Sequence, residues 1–237
     1  MGREAEADAI VSSFEQEAGF DFASRPPATP ETVVAHPTID LFRRPLLPSL
    51  IVGCVSLRVA NTLIYGFVIW LPTFFISQGN SIARSNGFAL LMALGGPIGS
   101  ALGAFAADYL GRKRTIVVVS CLAVILSVAF VFSDTSPVVP VIGFFLTIPI
   151  YILVAVLFAV YVPELFPTAL RLRGVGICNA FGRSASIIVP LLIGPLFTNF
   201  GIPGVLAMMS SALLAMCVVV VALGSETRIQ KPSVVAA

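Results

Sequence analysis

The pattern of apolar and polar positions divides the chain at about residue 46. Beyond it, apolar residues dominate, and short polar segments separate six runs at 50–76, 87–107, 115–132, 138–161, 174–197 and 205–223. At about 1.5 Å per helical residue, each run crosses about 30 Å of hydrocarbon, or nearly so for the short third. A lipid interior supplies no water to the backbone, so the runs are predicted to be helical. The expected fold class is an all-α membrane protein, with six transmembrane helices over 46–224, an acidic and proline-rich segment at 1–45, and a short tail at 225–237.

Within the first segment, residues 3–17 suit a short surface helix, with Ala5, Ile10, Val11 and Phe14 sharing part of one face. "SRPPATPETVVAHP" then brings Pro26, Pro27, Pro30 and Pro37, which favour an extended linker. The acidic opening lacks the early apolar core of a signal peptide. Glu6 stands where a myristoylation motif needs serine or threonine.

The runs themselves are not uniform. Pro72, Pro97, Pro149, Pro190 and Pro195 interrupt them, and Gly95, Gly99 and Gly103 recur at four-residue spacing. That spacing makes a smooth face where a neighbouring helix can approach closely. Interrupted, glycine-rich helices are also the kind that moving transporters use.

Composition and charge sharpen this picture. Only 11% of residues are charged and 57% are hydrophobic, against about a quarter charged in soluble domains. Eight of the twelve acids lie in the first 40 residues. With the N-terminus inside, eleven of the fourteen basic residues fall in cytoplasmic segments, Arg84 alone falls outside, and Arg58 and Arg183 lie within runs. This asymmetry predicts that both termini are cytoplasmic. The net charge of +2 and the burial of aromatics within apolar runs argue against nucleic acid as a partner.

Catalytic and metal chemistry have little to work with. Cys54, Cys121, Cys178 and Cys217 fall in four different runs, with neither zinc-ligand spacing nor a disulfide framework, and suit small packing residues. His36 is the single histidine. No run holds a histidine or carboxylate to act as base or metal ligand, so an enzyme is disfavoured and no cofactor or metal is expected.

Two polar segments concentrate charge. "ADYLGRKRT" ends the second run with Asp108 and continues with Gly111, Arg112, Lys113 and Arg114. "PELFPTALRLRG" carries Glu164 and, seven positions on, Arg171. An aspartate at a helix C-terminus opposes the helix dipole unless a cation answers it, and arginine forks can bridge carboxylates on adjacent helix ends. From the residues alone, these remain open to reading as ordinary cytoplasmic loop charges.

A family resemblance adds to this. "DYLGRKR" is similar to the D-x-x-G-R-K/R loop of the major facilitator superfamily. "PELFPTALRLRGVGICNAFGRSASIIVP" resembles the P-E-L-[YF]-P-T-x-x-R-x-x-G…G-R…P stretch of its sugar-porter-like and organic-ion branches, and "GSETR" resembles the E-T-[KR] ending after their last helix. The motifs match the second half of a twelve-helix transporter. The resemblance therefore implies a C-terminal six-helix half, a chain that begins in the central loop, and an N-terminal six-helix half as partner, in the same gene or a separate chain. It also implies that Glu164 and Arg171 pair with Asp108, Arg112 and Arg114 around the turn at Gly111, latching the outward-facing state.

Ionisable groups inside membrane spans are costly and point to function. Arg58 lies about 12 Å into the first run, with Asn61, Thr62 and Tyr65 following on one face. Arg183 lies about 14 Å into the fifth, with Asn179 and Ser186 on its side. Two arginines on separate helices suit a bidentate clamp on a carboxylate. The alternatives are that Arg183 supports the cytoplasmic network and that Arg58 pairs with an acid in the other half. In the organic-ion branch the position after the glycine of "FGRS" is basic in anion carriers, so the resemblance implies an anionic substrate. Tyr65, Trp70, Tyr151 and Tyr161 either line the path or pack.

Departures narrow the class. Val55 and Ser56 stand where sugar porters carry a glutamine pair, and the tryptophan before the fourth helix's glutamate is missing, which disfavours a hexose. "YGFVIWLPTFF" is more similar to carriers of nicotinate, aromatic acids and other small metabolites. No acid lies mid-run, so proton coupling would draw on a carboxylate in the other half. The expected function is proton-linked transport of a small organic anion across the plasma membrane. A non-transporting membrane fragment or interaction subunit is the alternative.

Overall fold

The computed structural model describes Ser13 and residues 37–133 and 138–227. Apart from Ser13, the surface helix expected at 3–17, the proline-rich linker up to residue 36, His36, Arg228 and the end of the tail lie outside the described residues. The described residues from Pro37 onward fall within one compact unit.

Five helical runs are long and apolar enough to cross a membrane. They are α1 (Leu47–Ser77), α2 (Ile82–Leu110), α3 (Arg112–Val131), α4 (Val138–Glu164) and a final run, Thr168–Leu223. A straight helix of that last length would extend about 84 Å, far more than a bilayer core. It bends at Gly201, whose φ of 64° and ψ of −155° suit glycine alone. The bend yields two arms, α5 (168–200) and α6 (202–223). The six apolar arms are the six predicted, and among the described residues no strand occurs. The chain is an integral, multi-pass membrane protein.

Helix ends run past the apolar runs. The basic residues expected in loops sit instead inside helices, Arg112 to Arg114 on the first turn of α3 and Arg171 and Arg173 within the first two turns of α5. The reversal before α5 shrinks to residues 165–167, because Pro167 is extended and starts the helix at Thr168. The turn before α3 is a single residue, Gly111, with φ 89°.

Prolines explain the irregularities. A proline lacks an N–H and crowds the carbonyl four residues earlier. Wide, π-type turns at Ile64–Val68 and Val156–Tyr161 lead into Pro72 and Pro163, and the carbonyls those prolines crowd, on Val68 and Ala159, belong to those turns. The break at Leu94 in α2 comes three residues before Pro97.

α1 and α4 are the most buried helices and α2 the least. The Gly95/Gly99/Gly103 stripe docks α2 onto α4. A methyl group on Gly99 would lie 2.4 Å from the Ile148 carbonyl oxygen, and one on Gly103 3.2 Å from that of Ile152. On the other side, α1 meets α5 equally closely, since a methyl on Gly182 would lie 3.0 Å from the Leu57 backbone. The short 3-10 helix Thr38–Phe42, in the segment assigned to 1–45, buries Leu41 completely in the bundle core.

Candidate functional site

At one end of the bundle, where α2, α4 and α6 finish, charge gathers around Arg112. Its guanidinium donates to both oxygens of Glu164, from Nε to Oε2 and from Nη2 to Oε1, each at 3.2 Å. Nη1 pairs with Asp108 Oδ1 at 3.2 Å and donates to the Ala107 carbonyl at 3.1 Å. The fork thus joins the start of α3 to the ends of α2 and α4. The Arg112 side chain is only 14% exposed and that of Glu164 28%, whereas Asp108 is 74% exposed. The pair with Glu164 is therefore the stronger one, less screened by solvent.

Glu226 and Thr227, after α6, complete this cluster, and sequence reasoning did not assign either a role. The Arg112 backbone N–H donates to Glu226 Oε1 at 2.9 Å, so Glu226 caps an α3 N-terminus that Gly111 leaves without a side-chain cap. Gly111 keeps the approach open, since a methyl there would lie 3.3 Å from that carboxylate. The Thr227 hydroxyl donates to Glu164 Oε2. In return, Lys113 Nζ donates to the carbonyls of Val221 and Gly224, both at 3.0 Å, satisfying the C-terminus of α6. The "GSETR" match was the signal that could have pointed to these two residues.

Arg114 and Arg171, expected in the same network, are exposed and make no ion pair among the described residues. The reason is helical phase. Arg114 is two residues past Arg112 on α3, about 200° around the axis, and Arg171 is four residues into α5, facing outward.

Deeper in the bundle, α1 and α5 bring a second group together. Arg58 Nη1 donates to the Ser184 hydroxyl, and the guanidinium lies 5.6 Å over the Phe181 ring. The Ser184 hydroxyl in turn donates to the Phe181 carbonyl at 2.6 Å. The close contact at Gly182 is what lets Arg58 reach across. Arg183, next to Ser184, is exposed and has no carboxylate partner among the described residues. Of the described acids, Asp108, Glu164 and Glu226 are engaged around Arg112.

The remaining candidates are placed differently. Asn61 is buried and its amide donates back to the Leu57 carbonyl at 2.8 Å, while Thr62 does the same to Arg58 at 2.9 Å. Tyr65 and Asn179 are half-buried. Tyr151 lies flat against Gly96 and Gly99, where it fills the space left by the missing side chains. Cys54 and Cys178 meet across α1 and α5 with sulfurs 3.8 Å apart, a pairing that spacing along the chain did not reveal. Among the described residues no group of three or more histidine, cysteine or acidic side chains is placed to hold a metal.

Comparison with known proteins agrees with this architecture. A model of the Major Facilitator Superfamily matches residues 11–190. The chain is 29% identical over 234 residues to the putative metabolite transport protein YdjK of Escherichia coli K12, covering 96% of this chain and 50% of that one. It is 32% identical over 165 residues to the niacin transporter NiaP of Acinetobacter baylyi, covering 69% of this chain and 37% of NiaP. It is also 26% identical over 179 residues to a benzoate transport protein of the same species, covering 67% and 36%. The chain thus spans half or less of the length of the relatives it matches. With its helical bundle, motif-bearing turns and this match, the chain belongs to the major facilitator superfamily.

Proposed function

We propose that the chain is the C-terminal half of a secondary transporter for a small planar organic anion, working by alternating access with an N-terminal six-helix half. The observation that carries this reading is the pair Arg58 and Arg183, set on two helices at membrane depth with no carboxylate beside either among the described residues. Uncompensated guanidinium groups in a bilayer are expensive, and an anionic substrate supplies the missing charge. Arg58 is already oriented by Ser184 and Phe181, so little entropy is lost when its remaining N–H groups meet a carboxylate. The niacin and benzoate transporters among its relatives fit that substrate class.

In this scheme the protein lies in the plasma membrane with both termini cytoplasmic, and the Arg112 cluster marks the inner face. Because its partners all belong to this half, the cluster fastens α2, α3, α4 and α6 so that they rock as one body. Proton coupling resides in a carboxylate outside these spans. The outward rows on α2 and α5, such as Leu90, Ile98, Ile187 and Leu191, are covered by lipid and by the other half. The family and the names of the relatives favour a carrier over an enzyme.

Uptake of labelled benzoate and nicotinate into vesicles holding this chain together with an N-terminal six-helix half tests this. Arg58→Ala is expected to reduce uptake by about 10- to 100-fold, the loss that follows removal of a charged hydrogen-bond partner. Arg58→Lys recovers only part of it, because an ammonium lacks the planar fork. A flux of either acid that is indifferent to Arg58→Ala and Arg183→Ala would overturn the assignment. The absence of any protein-dependent flux would instead favour a non-transporting membrane subunit.

A further inference from the structure

A cavity bordered by described residues lies far from Arg58, at the end of the bundle opposite the Arg112 cluster. Its volume is about 460 Å³, within the usual range of small-molecule sites. Phe74 and Phe75 from α1 and Phe88 from α2 form an aromatic wall. Their rings stand at 5.0 Å (Phe74 to Phe75) and 5.2 Å (Phe75 to Phe88), tilted by 51° and 61°. Gln78, Asn80 and Arg84 supply the polar side. Arg84 is held over the Phe88 ring, 5.3 Å from its centroid.

We propose that this cavity binds a small aromatic carboxylate, with the ring against Phe74, Phe75 and Phe88 and the carboxylate on Arg84. Phenylalanine edges and faces receive a flat ring in offset or perpendicular contact. A guanidinium has five N–H donors, so Arg84 can serve a carboxylate as well as its other contacts. Asn80 commits its amide nitrogen to the Phe75 carbonyl at 3.1 Å and keeps its side-chain oxygen for a neutral donor. No acid is among the described residues lining the cavity. Arg84 also stands in the first turn of α2, where the helix dipole favours negative charge.

The cavity is a separate place from the Arg58 group. Phe74 lies sixteen residues beyond Arg58 on α1, about 24 Å of helix. Resting on the transport reading for its orientation, it is a recruitment site at the outer mouth, which concentrates the acid ahead of the central path.

Thiol protection tests the site without relying on transport. Gln78→Cys and Ser133→Cys each place a thiol on the cavity lining, and the native cysteines all lie within the helical runs. The full chain in lipid nanodiscs is treated with a charged methanethiosulfonate, and the modification rate is read with and without benzoate. Benzoate is expected to slow modification of both thiols by about tenfold, the scale of one charge-assisted contact, whereas benzamide, its uncharged analogue, has little effect. Adding Arg84→Ala removes the protection, and adding Arg58→Ala leaves it intact. The proposal is overturned if both thiols are unreactive, if benzoate gives no protection, or if protection survives Arg84→Ala. It is equally overturned if Arg58→Ala abolishes protection, since closure relayed from the deeper site would then be the cause. Protection without uptake would remove the transport reading and leave this one standing. Uptake without protection would do the reverse.

Discussion

Replacing Glu164 with lysine is expected to reduce benzoate uptake by about 10-fold or more, with a parallel loss of thermal stability. The substitution removes both acceptors from the Arg112 fork and the acceptor of the Thr227 hydroxyl, and sets a second cation beside a guanidinium that is only 14% exposed. Charged hydrogen bonds of this kind are worth about 1.5–3 kcal/mol each at most, and like charges at short range add to the loss. Arg171→Ala is the informative control. By motif alone, Arg171 belongs to the same network and should matter comparably. By geometry it is exposed and outside the cluster, so its loss should change uptake by less than about twofold, as for surface substitutions in general. Equal effects of the two variants, read by initial uptake rates at matched membrane abundance, would show that the cluster is not what couples these helix ends.

The largest effect on folding is expected at Gly99. Valine there drives its Cβ to 2.4 Å from the Ile148 carbonyl oxygen and 3.0 Å from Tyr151 Cβ. The obstacle is backbone, which no side-chain rotation relieves, so α2 must move away from α4 along the whole stripe. Overpacking of this type costs about 1–3 kcal/mol even where neighbours can yield, and here it disrupts a close backbone approach of α2 to α4. Gly99→Val should therefore yield little monodisperse protein in detergent, or a melting midpoint many degrees lower. Gly87→Ala is the counterpart: that position is exposed on α2 with nothing within 4 Å of an added methyl. Alanine there should be neutral or stabilising by up to about 1 kcal/mol through helix propensity. A Gly99→Val protein that melts with the unsubstituted one would mean that the α2–α4 contact is looser than described.

Much of the molecule was legible in the chain because membranes impose simple rules. The six runs stand out since each must satisfy its backbone internally, and the Gly95/Gly99/Gly103 spacing marks a packing face wherever it meets a neighbour. The sites were less legible. Helical phase separated Arg112 from Arg114, a difference that a basic cluster in sequence conceals. Tyr151 had the character of a path-lining residue, yet it occupies the space above Gly96 and Gly99. Glu226, outside the groups first chosen, reaches the α3 N-terminus 114 residues away along the chain.

Sequence by itself determined what depends on local hydrophobicity and periodicity: the helical class, the spans, the small-residue stripe and the family motifs. Tertiary structure alone decided which charged groups meet, that Arg58 is held by Ser184 and Phe181, and that an aromatic cavity forms around Arg84. Those facts depend on how helices distant in sequence are rotated and staggered against one another. That arrangement is set by packing at a few points such as Gly99 and Gly182, where the backbones come closest.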